Sequence, residues 1–186
     1  TFSEGTTAGN YKVTTVDGIL SVTNENPIAI TITANTATKT YDGTALTGGY
    51  TYTGTLATGD TLEATTTGSQ TNAGNSTNAV ASYKITHKNA DGTTSDVTAN
   101  YAVTTAAGTL TVDPVAIELT ANSATKAYDG TALTDSGYAI TSGKFVGTDG
   151  LASVTVTGSQ TLVGSSANTI TGHALTTATK ASNYTI

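Results

Sequence analysis

The chain has 186 residues, of which 37% are hydrophobic and 11% charged, with a formal net charge of −6 and no Cys, Met, Trp or Arg. An acidic chain without a basic stripe argues against nucleic acid as a partner, because neutralising phosphate takes clustered Lys and Arg. The missing Cys excludes disulfides and thiolate metal sites, and no apolar run reaches the roughly 18 residues that a membrane span needs.

Thr supplies about a quarter of the residues, and its β-branched side chain suits a pleated strand better than a helix. Gly numbers 20 and Pro only 2, so the turns fall to Gly, Asn and Asp. The polar composition alone would also fit a disordered chain. The alternating patterns below argue against that and for an all-β protein.

Residues 1–26 come first. The chain opens at Thr1 without a signal-like segment, as a mature product or a fragment would. "GNYKVTTVDGILSVT" (Gly9–Thr23) reads as a β-hairpin, with Asp17-Gly18 as the tight turn. Tyr11 and Val13 precede the turn; Leu20 and Val22 share one side of the returning strand. The same segment recurs as "ANYAVTTAAGTLTV" (Ala99–Val112).

After Pro27, "IAITIT" (Ile28–Thr33) alternates Ile28, Ile30 and Ile32 with Ala29, Thr31 and Thr33, the period of a strand with one buried face. "ATKTYDGTALT" (Ala37–Thr47) follows. Asp42-Gly43 is a turn signal, with Tyr41 expected to pack on the core edge and keep its hydroxyl wet. A sharper reading pairs Lys39 with Asn100, and Lys126 with Asn183, as partners of a self-formed isopeptide bond. That chemistry needs a buried, protonated acid, and Glu63 has no counterpart in the second copy. "LATGDT" (Leu56–Thr61) suits a short helical turn. "SYKITH" (Ser82–His87) and "GTLTVD" (Gly108–Asp113) read as strands, Leu110 and Val112 sharing a face.

The pattern then starts again. "VAIELT" (Val115–Thr120) alternates Val115, Ile117 and Leu119. "ATKAYDGTALT" (Ala124–Thr134) repeats the earlier stretch with one change, so Lys39, Tyr41, Asp42 and Gly43 recur as Lys126, Tyr128, Asp129 and Gly130. "LASVTVTG" (Leu151–Gly158) is a strand candidate. "TGSQT" (Thr67–Thr71) returns at Thr157–Thr161, and "GNSTNA" (Gly74–Ala79) is echoed by "GSSANT" (Gly164–Thr169). "SNYTI" (Ser182–Ile186) matches the start of "ANYAV" (Ala99–Val103).

The expected organisation is therefore a complete β repeat at 27–113, a second repeat at 114–186 lacking its final strand, and at 1–26 either the closing hairpin of a preceding repeat or a donor strand. Each unit is expected to be a small β-sandwich (Ig-like) or a β-grasp-like domain whose first and last strands lie side by side. Short linkers such as "TVDPVAIEL" would make a stiff linear array. Tyr11, Val13, Leu20, Val22, Tyr184 and Ile186 are the inter-subunit strand candidates.

No catalytic constellation stands out. His87 and His173 occupy unmatched places, and the Asp residues of the Asp-Gly pairs (Asp17, Asp42, Asp91, Asp129, Asp149) each sit alone in a turn rather than in a calcium-binding cluster. No cofactor or metal is expected, and no enzymatic activity.

"ATKTYDGTALT", "GNYKVTTVDGILSVT" and "ANYAVTTAAGTLTV" resemble the YDG-type and MBG-type repeats of large bacterial surface proteins. The resemblance implies an extracellular, cell-surface, β-rich stalk or fibre module, found in adhesins too, and brings no catalytic residues. Its expected partners are copies of itself or neighbouring repeats. The alternative partner is a host or cell-surface glycan or protein, with Tyr50, Tyr52 and Tyr138 available to stack on sugar rings.

Overall fold

The computed structural model describes Thr14, residues 16–21 and residues 25–186. The described chain is all-β. Its first eight strands are β1 (Ile28–Ala34), β2 (Ala37–Thr40), β3 (Tyr50–Thr53), β4 (Asp60–Thr67), β5 (Gly74–Lys88), β6 (Thr94–Asp96), β7 (Tyr101–Ala106) and β8 (Gly108–Asp113). Six more follow: β9 (Val115–Ala116), β10 (Glu118–Ala121), β11 (Tyr138–Ser142), β12 (Leu151–Thr157), β13 (Thr169–Leu175) and β14 (Tyr184–Thr185). Leu56–Thr61 holds a tight turn (Asp60 N–H to Ala57 C=O, 3.0 Å) and no helix.

The first eight strands make two sheets. β1 lies between β3, antiparallel to it, and β7, parallel to it. The second sheet runs β2-β8-β5-β4, with β6 also on β5. The long β5 serves both ends of this sheet. Its first residues pair with β8 and its middle with β4.

Alternation places the core. Ile30 and Ile32 of β1, Leu62 of β4, Ile85 of β5 and Tyr101 of β7 form one buried cluster. Leu110 and Val112 of β8 are buried as well. Each aliphatic side chain removed from water contributes about 1.5–3 kcal/mol. Ile28 departs from the expected face. It stands at the rim, at the start of β1, and remains 39% exposed.

Two expectations need correction. The last strand does not lie beside the first: β1 pairs with β7, while β8 crosses into the other sheet. For the same reason Ala99–Val112 is no hairpin. The chain changes sheets at Gly108, where the backbone passes over the end of β1. A Cβ on Gly108 would meet the Ala34 carbonyl oxygen and lie 2.6 Å from the carbonyl carbon and oxygen of Asn35, so only glycine fits this crossing. The hairpin read at Gly9–Thr23 lies largely outside the described residues.

The remaining strands repeat many of these pairings. β10 is antiparallel to β11, β9 parallel to β14, and β12 antiparallel to β13. The bridge Leu46↔Gln70 returns as Leu133↔Gln160. The strand corresponding to β1 is broken at Ile117, whose N–H turns to the Thr185 carbonyl at 2.7 Å.

Candidate functional site

The candidate site follows from how β8 is held. β8 runs parallel to β2, with Leu110 opposite Ala37 and Val112 opposite Lys39. On its other side it is antiparallel to β5, with Gly108 opposite Asn78, Leu110 opposite Ser76 and Val112 opposite Gly74. β8 thus closes the gap between two stretches of backbone and seals the core with Leu110 and Val112, exposed 0% and 1%.

The same walls recur further along the chain. Asn78 Nδ2 donates to the Asn35 carbonyl at 2.9 Å, as Asn168 Nδ2 does to that of Asn122 at 2.9 Å. Gln70 Nε2 donates to the Asn72 carbonyl and Gln160 Nε2 to that of Leu162, both at 2.7 Å. Ser76 Oγ bonds the Ser69 carbonyl and Ser166 Oγ that of Ser159. Between these second walls, among the described residues, no strand lies. Residues 124–127 and 164–168, the counterparts of β2 and the start of β5, form no ladder. They border an open groove of about 510 Å³, lined by residues 121–128, 133–135 and 158–168. Its walls present extended backbone without ladder partners, the condition that favours an added strand.

The two Tyr-Asp-Gly turns flank these places. Asp42 Oδ1 accepts from the Thr44 N–H (2.9 Å), the Thr44 hydroxyl (2.7 Å) and the Lys39 ammonium (2.6 Å). These donors, Lys39 first, lower the Asp42 carboxyl to about 2. Asp129 accepts from Thr131 and Lys126 in the same way, and its carboxyl is also lowered, chiefly by Lys126. Gly43 and Gly130 take φ of 81° and 79°, which the turn demands and side chains resist. The motif is thus a locked turn in both copies.

The isopeptide reading fails on geometry. Lys39 Nζ is committed to Asp42 and to the Thr44 carbonyl and hydroxyl. Glu63 is exposed, whereas the acid would have to be buried. The Asn183 side chain is engaged elsewhere: its Oδ1 accepts from the Ala73 N–H at 2.8 Å and its Nδ2 donates to Asn72 Oδ1 at 3.1 Å.

Those last bonds belong to a contact that joins the two halves of the chain. The Tyr41 ring packs edge-on against Tyr184, with centroids 5.8 Å apart, and its hydroxyl reaches Asp149 Oδ2 at 3.4 Å. Tyr41 therefore serves this joint rather than the core edge. The Tyr184 hydroxyl donates to Asp149 Oδ2 at 2.7 Å and accepts from the Val146 N–H at 2.9 Å. Burial, with the nearby Asp149 carboxylate adding to it, pushes Tyr184 up to about 12. Tyr101 repeats this arrangement, donating to Asp60 Oδ2 at 2.5 Å and accepting from the Ala57 N–H at 3.0 Å.

The strand candidates divide three ways. Leu20 is fully exposed and so is Ile19 beside it. Tyr11, Val13 and Val22 lie outside the described residues. Tyr184 is buried in β14, which pairs with β9, and Ile186 is 37% exposed next to it; neither lines the groove. Of the tyrosines considered for sugar stacking, Tyr50 packs on the core and its hydroxyl reaches the Leu62 carbonyl at 3.4 Å, while Tyr52 and Tyr138 are 43% and 39% exposed. Sequence reasoning missed Asn78 and Asn168, although the echo of "GNSTNA" in "GSSANT" contains both. It also missed Asn72, which becomes Leu162 and carries no repeat signal.

Among the described residues, no group of three or more His, Asp or Glu gathers as a metal site, and no helix is long and apolar enough to cross a membrane.

Residues 30–111, from within β1 into β8, match the family model of the MBG domain (YGX type), which shows the YDG/MBG-type resemblance for that segment. No curated protein and no solved structure matches the chain. An MBG-type segment is consistent with a repeat module of a surface protein.

Proposed function

We propose that this chain is a structural, non-catalytic module of a bacterial cell-surface or extracellular fibre, built from two copies of one β unit and joined head to tail by strand donation. One observation carries the reading. The groove between residues 124–127 and 164–168 stands where the first unit holds β8. The occupant is Gly18–Thr23 of a second copy.

"GILSVT" reproduces "GTLTVD" position by position: Gly18 for Gly108, Leu20 for Leu110, Val22 for Val112. Laid in the register of β8, Leu20 falls opposite Ala124 and Ser166, Val22 opposite Lys126 and Gly164, and Gly18 opposite Asn168. Gly18 then provides the close crossing over Ala121 and Asn122. Leu20 is exposed and free to be captured. A contact between two different surfaces of identical chains propagates into a filament.

Burying Leu20 and Val22 contributes about 3–6 kcal/mol. Each ladder hydrogen bond adds about 0.5–1.5 kcal/mol net. Association itself costs about 4–15 kcal/mol. The strand alone therefore makes a reversible joint, and a permanent fibre needs a further contact.

A labelled peptide of residues 16–26, titrated onto a chain beginning at residue 25, tests the groove. Saturable binding that Gly18→Val in the peptide abolishes supports the reading. Equal binding of both peptides, or of neither, contradicts it. Because peptide binding would also occur if the natural occupant were chain beyond Ile186, assembly of the full chain identifies the source.

A further inference from the structure

We infer that the exposed end formed by Tyr128, Leu162 and Val163 is a second docking surface, and that its partner is the Asp60–Asn100–Tyr101 face of another copy. This deepens the head-to-tail reading and rests on it, but it does not depend on strand donation.

The inference starts from the joint inside the chain. There, Tyr41, Gly43, Asn72 and Ala73 of the first half meet Val146, Asp149, Asn183 and Tyr184 of the second. The packing is close, since a Cβ on Gly43 would lie 3.1 Å from a Val146 methyl. Asn183 is sealed there at 1% exposure.

The Tyr41 side of this joint recurs with its surface open, and the Tyr184 side recurs with Tyr101 only 7% exposed and Asp60 Oδ1 already held by His87 Nδ1 at 2.6 Å. Tyr128 and Gly130 hold the places of Tyr41 and Gly43. Leu162 and Val163 hold those of Asn72 and Ala73, as the paired Gln70 and Gln160 bonds establish. Tyr41, Asn72 and Ala73 are half-buried. Tyr128, Leu162 and Val163 are 63%, 71% and 89% exposed, and a Cβ on Gly130 would meet nothing within 4 Å. At the other end, Ala57, Asp60 and Tyr101 reproduce Val146, Asp149 and Tyr184 bond for bond. Asn100, which closes the 3₁₀ turn Thr98–Asn100 as Asn183 closes Ala181–Asn183, is exposed.

One copy's free end thus carries the surface that the other's free end accepts. The Tyr128 ring takes the place of Tyr41 against Tyr101, near Asp60. Asn100 Oδ1 accepts from the Val163 N–H, as Asn183 does from Ala73. Leu162 cannot give the amide bond of Asn72 and covers the site by apolar contact instead. The linkers agree. β8 reaches Val115 through Pro114 alone, whereas Thr23 reaches Ile28 through Asn24, Glu25, Asn26 and Pro27. The three extra residues add up to about 10 Å of slack, so a donated strand and this docking can coexist.

The chain has no Cys, so single thiols report contact cleanly. Full chains bearing Leu162→Cys are mixed with full chains bearing Asn100→Cys and treated with a short bis-maleimide. Both positions are exposed, so the fold is kept; the changes remove the Leu162 cover and the Asn100 acceptor and leave the Tyr128 contact to hold the docked pair. The control pair is Leu162→Cys with Glu63→Cys. Cross-linking at an initial rate roughly a hundredfold above the control is expected, because docking raises the local thiol concentration into the millimolar range. The same excess with Gly18→Val in both chains would show docking without strand donation, again in support. No excess from chains that light scattering shows to assemble would overturn the docking inference and leave strand donation standing. No excess and no assembly would overturn both.

Discussion

The glycine at the sheet crossing offers a matched pair of substitutions with opposite readouts. In Gly108→Ala the new methyl would sit 2.6 Å from the Asn35 carbonyl carbon and oxygen, with the Ala34 carbonyl also in its path. These are backbone atoms at the end of β1 and just past it, and they cannot rotate away. Restoring ordinary contact moves β8 outward by about 1 Å, which loosens its pairing with Asn78 and lifts Leu110 from its seat. Overpacking of this kind costs about 1–3 kcal/mol, lost ladder bonds add about 1 kcal/mol each, and alanine returns about 0.5–1 kcal/mol through the unfolded chain. The net expectation is about 3 kcal/mol of destabilisation. At a urea m-value of about 2 kcal/mol/M the midpoint falls by about 1.5 M with m unchanged. Gly18→Ala meets no atom within 4 Å and leaves the urea midpoint of the isolated chain where it was. The same roughly 3 kcal/mol then appears in assembly, as an association constant lowered about a hundredfold. An unchanged midpoint in Gly108→Ala would refute the crossing argument. Unchanged assembly in Gly18→Ala would refute the equivalence of the two segments.

Leu110→Ala, at a fully buried position, is expected to cost about 2–5 kcal/mol in chemical denaturation, whereas Leu20→Ala leaves that stability intact and weakens assembly. Asn183→Ala strips the Ala73 N–H and Asn72 Oδ1 of their partner and should cost about 1–3 kcal/mol; the specific sign is faster hydrogen exchange at the Ala73 amide. Tyr184 is raised in the folded state, so the stability that goes with its neutral form is complete below pH 10 and is lost as pH climbs from 10 toward about 12. Tyrosinate absorbance followed against pH should show a late-ionising component that Tyr184→Phe reduces, with Tyr101 and Tyr41, also raised by burial, remaining in it.

Period-two alternation located β1, β8 and the β9–β10 stretch, because burial on one face of a sheet leaves that mark directly, whereas the Thr-rich β2, β3, β4, β6, β11 and β13 carried no such signal. Leu110 and Val112, Ile30 and Ile32 were all legible this way. Strand order was not. β7 and β8 resemble a hairpin in sequence, and only the close backbone crossing at Gly108 separates them into two sheets. Ile28 alternates correctly yet stands at the rim, where one-dimensional periodicity carries no information about where the sheet's cover ends. The turns at Asp42 and Asp129 were readable from local chemistry. The partner of Tyr41 was not, since Tyr184 is distant in sequence and packs as half of a joint. Asn72 was invisible for a related reason: the repeat replaces it by Leu162, so the residue most specific to the joint is one that does not recur.

Light scattering with electron microscopy on residues 1–186, beside a chain beginning at residue 25, tests strand donation most directly. The account predicts filaments or a ladder of masses from the full chain and a single monomeric species from the shortened one. Monodisperse monomers from both, at concentrations well above micromolar, would contradict it. The groove would then belong to some other strand.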